Sequence, residues 1–379
     1  MIRCAKNSSY MNQIPSKWKK SRIKDVALLI RAGGSLGLTK IKDYQQTGYP
    51  AYSAAGQDGF VNVVEFSQPG VVLSAIGARC GKCFYATSNW TTLANTQAIL
   101  ADESQVSNRF LWYLINDENF WHRSGTAQPF IKPSDVQNAW IPVPPPQEQS
   151  KIIWYLDSLL HSIQKHKNAL QEIQNMRQGL LQKLRDGELF SIDLKKRLQD
   201  VATLRMGEIL IAKNLTGDGI PVFSADTGSE PWGFTSNAKH VFERGTIILS
   251  ARGSIGFPRL PNYDKFISTQ TTIAVRPNPK MMLPEFLFVW LQSIDYDKIK
   301  SVQAVPMMTV TDMNEIWVPK IDVEIQSNIA GLFESLTKIE GKHVESIEVL
   351  KDIFAGCRFD LLYGKIAVSD IQRDFVFFS

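Results

Sequence analysis

The sequence predicts an α+β protein made of two copies of one unit, each a globular domain followed by a long helix. Three observations predict it. An apolar stripe of helical period runs over residues 149–187, the same stripe recurs over residues 326–364, and the stretches between carry short β-branched runs punctuated by Gly and Pro.

In the first stripe, Ile152, Leu156, Leu159, Ile163, Leu170, Ile173, Leu180 and Leu184 keep to one face of a helix, and only His166 and Arg177 interrupt them. The rigid run Pro142-Val143-Pro144-Pro145-Pro146 precedes the helix and Gly187 ends it, the usual start and stop chemistry. At about 1.5 Å per residue the rod is on the order of 55 Å long. Its counterpart lies 177 residues on, where Gly187 becomes Gly364, Ile152 becomes Ile329, Leu159 becomes Leu336, and His166 becomes His343. Two such helices stabilise each other by burying their stripes together, and the histidines are read as the polar interruption that fixes register.

The globular parts repeat in the same order. Arg22-Ile23-Lys24-Asp25-Val26-Ala27 answers Arg197-Leu198-Gln199-Asp200-Val201-Ala202, and Gly48-Tyr49-Pro50-Ala51-Tyr52-Ser53-Ala54 answers Gly219-Ile220-Pro221-Val222-Phe223-Ser224-Ala225. Val71-Val72-Leu73-Ser74 answers Ile247-Ile248-Leu249-Ser250, Thr96-Gln97 is matched to Thr269-Gln270, and Ala127-Gln128-Pro129 to Ala304-Val305-Pro306. Segments near Phe110 and Phe286 read as buried helices. The period is domain-sized, so it implies a pseudo-two-fold chain that mimics a homodimer rather than a solenoid. Boundaries follow: a tail over 1–13, a domain over 14–148, a helix over 149–187, a second domain over 188–325, a second helix over 326–366 and a tail over 367–379.

With 379 residues, each domain is large enough to bury its own core. Lys and Arg number 42 against 37 Asp and Glu, a mildly basic balance that permits nucleic-acid binding. The start of the chain lacks the apolar core of a signal peptide, and no run approaches the ~18 apolar residues of a membrane span, which reads as cytoplasmic. Cys4, Cys80, Cys83 and Cys357 do not suggest a disulfide framework.

Catalytic motifs fail their tests. Ile76-Gly77-Ala78-Arg79-Cys80-Gly81-Lys82-Cys83 lacks both the first Gly and the final Ser or Thr of a phosphate loop. Cys80-Gly81-Lys82-Cys83 supplies at most half a zinc site, and the other copy reads Gly253-Ser254-Ile255-Gly256, so small packed thiols are the better reading. His166 and His343 alone make a poor metal site. No adenine-methyltransferase tetrapeptide, Gly-rich cofactor loop or carboxylate pair with a nearby Lys is found, and the five histidines have no evident nucleophile partner. The chain reads as one that binds and does not catalyse, with no metal and no cofactor of its own. The binding candidates sit at matching Gly-punctuated turns: Ser53, Arg79, Lys82, Gln97 and Gln128 in the first copy, Ser224, Arg252, Ser254, Arg259 and Gln270 in the second. Arg and Gln pair with guanine and adenine edges, while Lys and Ser commonly hold phosphate. The plain alternative is ordinary surface groups, with Ser and Thr-Gln capping turns.

Three motifs together carry a resemblance: Ile14-Pro15-Ser16-Lys17-Trp18 opening a domain, Ile141-Pro142-Val143-Pro144-Pro145 with Glu148-Gln149 entering a helix, and Gly179-Leu180-Leu181-Gln182-Lys183-Leu184 with Gly187-Glu188 ending it. With the duplicated layout over about 14–366, the chain resembles a specificity subunit of a type I restriction-modification system. The resemblance implies two target-recognition domains, each reading half of a bipartite duplex DNA site, and two helices paired as an antiparallel coiled coil that separates them. It also implies two DNA-methyltransferase subunits docked on the helices, carrying S-adenosylmethionine, and a restriction or translocase subunit using ATP and Mg, so that this chain serves DNA modification and phage defence without catalysing either. The second copy departs from the pattern. It lacks the Ile-Pro-x-x-Trp opening, its connector from Pro319 to Gln326 is longer, and Gly331 and Gly341 weaken its helix by roughly 1 kcal/mol each. Alternatives are a coiled-coil scaffold that binds proteins, a methyltransferase or nuclease with unfamiliar motifs, and a specificity subunit of a methylation-only or phage-defence system.

Overall fold

The structure, a computed structural model, describes residues 11–34, 44–125, 127–189, 196–226, 228–299 and 307–368. Most of the tails expected over 1–13 and 367–379 lies outside the described residues, as does the match at Ala304-Val305-Pro306. The chain divides into two compact units, one formed by Met1–Lys165 with Ser346–Ser379, the other by His166–Glu345.

Unit 1 carries β1 (Lys19–Arg22), α1 (Ile23–Val26), β2 (Ala27–Ala32), β3 (Tyr49–Ser53), β4 (Gly56–Val61), β5 (Gly70–Ser74), β6 (Cys83–Ala86), β7 (Thr91–Thr92), β8 (Thr96–Ala101), α2 (Asn108–Ile115), α3 (Pro133–Asn138), β9 (Trp140–Val143) and the start of α4 (Pro146–Asp186). An antiparallel sheet of order β2-β8-β5-β6 is its centre; a smaller sheet, β4-β3-β7, contains a parallel pair, and β1 pairs with β9. The apolar run of β5 has both faces buried, as do all six residues of β8. Alternation divides them: Val71, Leu73 and Ile99 pack with Phe110 and Leu111 of α2 and with Ile152, Leu156 and Leu159 of α4, while Val72, Ala98 and Leu100 face Phe66 and Trp90.

Unit 2 repeats this with β10 (Lys196–Arg197), α5 (Leu198–Val201), β11 (Ala202–Met206), β12 (Ile220–Phe223), β13 (Gly233–Thr235), β14 (Phe242–Glu243), β15 (Ile247–Ser250), β16 (Pro258–Arg259), β17 (Lys265–Ser268), β18 (Thr272–Pro277), α6 (Pro284–Ser293), α7 (Val310–Asn314), β19 (Trp317–Val318) and the start of α8 (Val323–Leu362). Its sheets run β11-β18-β15-β16 and β13-β12-β17-β14, with β12 and β17 parallel, and Ile247, Leu249, Ile273 and Val275 pack on Phe286 and Leu287 of α6.

Both long helices start three residues before the sequence places them. In α4 the reason is Pro146, which fits the first helical turn, where its missing N–H costs nothing. α4 stops at Asp186 and α8 at Leu362, four residues short of the bound at 366; beyond them Gly187 and Gly364 adopt φ of 78° and 66°, and Glu188 and Lys365 donate back to Lys183 and Asp360 at 2.9 and 2.8 Å. One glutamine roots each helix in its domain. Gln149 accepts from Ser107 N and donates to Gln105 O and Pro144 O; Gln326 accepts from Leu283 N and donates to Met281 O and Ile321 O, all between 2.8 and 3.1 Å. The helices pair antiparallel. In unit 1, Leu156 and Leu159 share a cluster with Leu350, Ile353 and Leu361; in unit 2, Leu181 and Leu184 share one with Ile329 and Phe333. The stripe is buried at both ends of α4 and half-buried at Leu170 and Ile173 between them. Arg177, an interruption in sequence, donates from Nε and Nη2 to both carboxylate oxygens of Glu340 at 3.0 Å. Among the described residues no helix is long and apolar enough to cross a membrane.

Candidate nucleic-acid interface

Four segments of unit 1 meet beyond one end of the β5–β8 ladder: the turn after Ser53, the loop 75–82, the turn 93–95 and residues 124–125 with 127–130. Backbone bonds tie them. Ala75 donates to Asn95 O, Ile131 to Ala75 O, Gly77 to Pro129 O and Leu93 to Tyr52 O, all at 2.8–2.9 Å. Arg79 donates to Ala55 O at 2.7 Å across the cluster. Exposed on this frame are Arg79, Lys82, Asn95, Arg123 and Gln128. Gly77 has φ of 99°, and a Cβ there would meet nothing within 4 Å, so the backbone turn and not crowding requires glycine.

Unit 2 builds the same cluster. Ala251 donates to Thr271 O, Met308 to Ala251 O and Thr269 to Phe223 O at 2.9–3.0 Å, and Gly253 takes the place of Gly77 with φ of 73° and open space around its Cβ position. Arg252, Gly253, Ser254 and Phe257 are exposed.

These bonds correct one sequence match. Thr96 and Thr272 occupy the same place: each pairs with the Ser ending the neighbouring strand, each accepts from a glycine N–H, Gly33 or Gly207, and each hydroxyl donates to the carbonyl three residues before it. Thr96-Gln97 therefore corresponds to Thr272-Ile273. Thr269-Gln270, the match the sequence suggests, is displaced by three residues because the run Thr269-Gln270-Thr271-Thr272 offers more than one threonine to align.

The candidates accordingly divide. Ser53 is buried, and its Oγ accepts from Ala55 N at 3.0 Å. Gln97 is buried in β8 and donates from Nε2 to Ile131 O at 2.8 Å. Arg259 is buried too, bound to Asp226 Oδ1 at 2.9 Å and to Ser224 O, with its guanidinium 5.4 Å from the ring centre of Phe223. Burial pulls the Arg259 guanidinium below its ordinary value and Asp226 opposes that shift. These three hold the loops from behind. Ser224 is half-buried, its Oγ 3.2 Å from the Thr269 hydroxyl that donates to it, and Gln270 accepts from Leu210 N through Oε1 at 3.0 Å. Arg79, Lys82 and Gln128 stand exposed on the frame of unit 1, and Arg252 and Ser254 on that of unit 2, so each cluster presents cationic and polar groups that a polyanion can reach.

Sequence reasoning passed over Asn95, Arg123 and Phe257. Asn95 shows its signal only in the structure, a φ of 66° at a turn tip. Phe257, 41% exposed, takes the place of Lys82, because both follow the glycine that donates to the serine carbonyl ending the central strand.

Elsewhere, Cys80 and Cys83 are buried thiols that donate to Ala75 O and Ile115 O, and burial pushes both up from the ordinary cysteine value. Among the described residues no three His, Cys, Asp or Glu side chains gather as a metal site. His166 and His343 meet, Nδ1 to Nδ1, at 2.9 Å.

Comparison with known proteins agrees with this architecture. The type I restriction modification DNA specificity domain matches twice, over residues 15–175 and 194–351. A type I restriction enzyme specificity subunit, MjaIX of Methanocaldococcus jannaschii, is 28% identical over 189 residues, 43% of each chain, so the match spans less than half of that relative. The type I restriction-modification S subunit from M. genitalium superposes with a TM-score of 0.64 at 18% identity, covering 93% of this chain and 97% of the other. A chain from a study of complex assembly and conformational transition in the type I system gives 0.59 at 16%, covering 93% and 99%. With its two domains and two long helices matched in tandem, the chain belongs to the type I restriction-modification specificity-subunit family.

Proposed function

We propose that the chain is the DNA-recognition subunit of a type I restriction-modification complex. Each globular domain reads one half of a bipartite duplex site; the paired helices set the distance between the halves and dock two methyltransferase subunits. The observation that carries this reading is the loop cluster present twice in the same register, each time presenting exposed cationic and polar groups over a frame held by buried polar residues. Exposed Arg79, Lys82 and Arg252 suit phosphate or guanine contacts, and Gln128 suits adenine. A pseudo-two-fold chain suits two half-sites and two copies of one partner. Chemistry lies with the partners: S-adenosylmethionine in the methyltransferase, ATP and Mg in a translocating restriction subunit. This chain contributes position, and no step of methyl transfer or cleavage is assigned to its residues.

The test is selection of bound DNA from a random duplex pool by the chain co-purified with its methyltransferase. Two short constant blocks at fixed separation are the expected result. A single block would mean that one domain alone reads, and no enrichment would overturn the DNA-reading proposal in favour of a protein-binding scaffold. Affinity for the selected site falls steeply with salt if phosphate contacts contribute as proposed.

A further inference from the structure

Five side chains of unit 1 fill the angle between α2 and α4. Arg109 donates from Nε and Nη2 to Asp157 Oδ1 at 2.9 and 2.6 Å, and the Tyr113 hydroxyl donates to the same oxygen. The Arg109 guanidinium lies 4.6, 4.5 and 5.2 Å from the ring centres of Tyr85, Trp112 and Tyr113. The groove is thus closed by the chain's own cation, stacked and ion-paired.

The repeat register carries these five residues to positions in unit 2. Phe110 corresponds to Phe286, so Arg109, Trp112 and Tyr113 become Glu285, Phe288 and Val289; the helix offset of 177 makes Asp157 into Glu334, and the strand pairing makes Tyr85 into Leu260. All five replacements line one cleft of about 1140 Å³. Two tyrosines have shrunk to Leu and Val, a Trp to Phe, and the cation has become a carboxylate, so the place that was filled is open and two carboxylates stand where unit 1 has an ion pair. Glu285 is exposed and has no ion-pair partner among the described residues. Glu334 pairs with Lys338 one turn along α8 at 2.7 Å, with the side chains 65% and 69% exposed, a pair that screening leaves weak. Arg177, also in the wall, is committed to Glu340.

We propose that this cleft receives a basic side chain, an Arg or Lys flanked by apolar residues, from the methyltransferase subunit docked on this half of the chain. A guanidinium seated there regains what Arg109 has in unit 1: an aromatic face at Phe288, carboxylates from Glu285 and Glu334, and an apolar surround that strengthens both interactions. The volume exceeds one side chain, hence the apolar flanks. Unit 1 offers no such seat, so the two halves hold identical partners by different contacts. The inference rests on the docking reading proposed above.

The experiment measures how many methyltransferase subunits bind the full-length chain, by native mass spectrometry and titration calorimetry, for the wild type, Glu285→Arg, which installs the unit 1 residue, and the milder Glu285→Gln. A photo-crosslinking residue at Ala330, in the cleft wall, reports what enters it. The expected result is two subunits on the wild type, one of them weakened at least tenfold by Glu285→Arg and less by Glu285→Gln, and a cross-link to a segment containing Arg or Lys among apolar residues. Two subunits bound by Glu285→Arg with unchanged affinity, or a cross-linked segment without a basic residue, overturns the proposal while leaving docking intact. A wild-type chain that binds no methyltransferase overturns the docking reading and this inference together.

Discussion

His166 of α4 and His343 of α8 touch: their Nδ1 atoms are 2.9 Å apart, with ring centres at 5.1 Å and planes inclined by 60°. Such a bond needs one Nδ1 that carries a proton and one that does not, so one imidazole donates and the other accepts. Both are half-buried in the middle of the helix pair, where a sliding helix would have to break the bond. Register, as in coiled coils with one buried polar position, is the role we propose for them.

Replacing one histidine by Leu leaves the other without its partner and is expected to cost about 1 kcal/mol. Replacing both is expected to leave the melting temperature unchanged or raised, since two apolar groups then meet in an apolar seam. Thermal unfolding followed by circular dichroism on the two single variants and the double variant closes the cycle. A large loss in the double variant, together with stabilisation of the wild type by zinc, would show that the pair is a metal site.

The exposed and buried candidates of the loop cluster predict opposite phenotypes. Arg79→Ala and Lys82→Ala, on exposed groups, should weaken DNA binding with little effect on folding and lower the slope of log affinity against log salt by about 1 for each phosphate no longer neutralised. Gln97→Ala removes the buried bond to Ile131 O and should cost about 1–3 kcal/mol of stability. Reversed outcomes, a stability loss from Arg79→Ala and a specificity change from Gln97→Ala, would exchange the roles assigned to them.

That division also marks what the sequence makes legible. The duplication is readable because Gly, Pro and apolar anchors recur at nearly constant offset, and the helices because their stripes are long. Burial of Ser53, Gln97 and Arg259 is not readable. Every residue of β8 is buried on either face, so alternation gives no outward positions there, and the Asp226 that holds Arg259 lies 33 residues away in sequence. The Thr-Gln misalignment arises where local composition is repetitive and only strand pairing fixes the register. Glu285 in the place of Arg109 is in plain view, but its meaning depends on what Arg109 touches.

Two tyrosines predict alkaline behaviour. Burial first, with Asp58 second, pushes the Tyr44 hydroxyl up to about 12, and burial with Cys357 does the same for Tyr155. A raised value means that the folded state holds its proton more tightly. Below the unfolded tyrosine value of about 10, both states are protonated and the contribution is complete; it is lost as pH rises from there through 12. Melting temperatures between about pH 9 and 12 should therefore fall less steeply for Tyr44→Phe/Tyr155→Phe than for the wild type. Equal slopes would mean that neither hydroxyl is shielded.

The helix pair as a ruler can be tested by lengthening it. One heptad inserted into α4 and one into the facing part of α8, about seven residues each to keep the apolar seam in phase, adds about 10 Å to the separator. Along B-DNA that is about three base pairs, at roughly 3.4 Å per step. Three base pairs also turn the duplex by roughly a third of a revolution, which a heptad does not match in azimuth, so affinity for the new sites should be below that of the parent for its own. Repeating the selection from random duplex DNA with the lengthened chain is expected to return the same two constant blocks at a changed separation, since the recognition loops are untouched. If the blocks return at the original separation, the helices do not set the spacing, and the ruler reading falls.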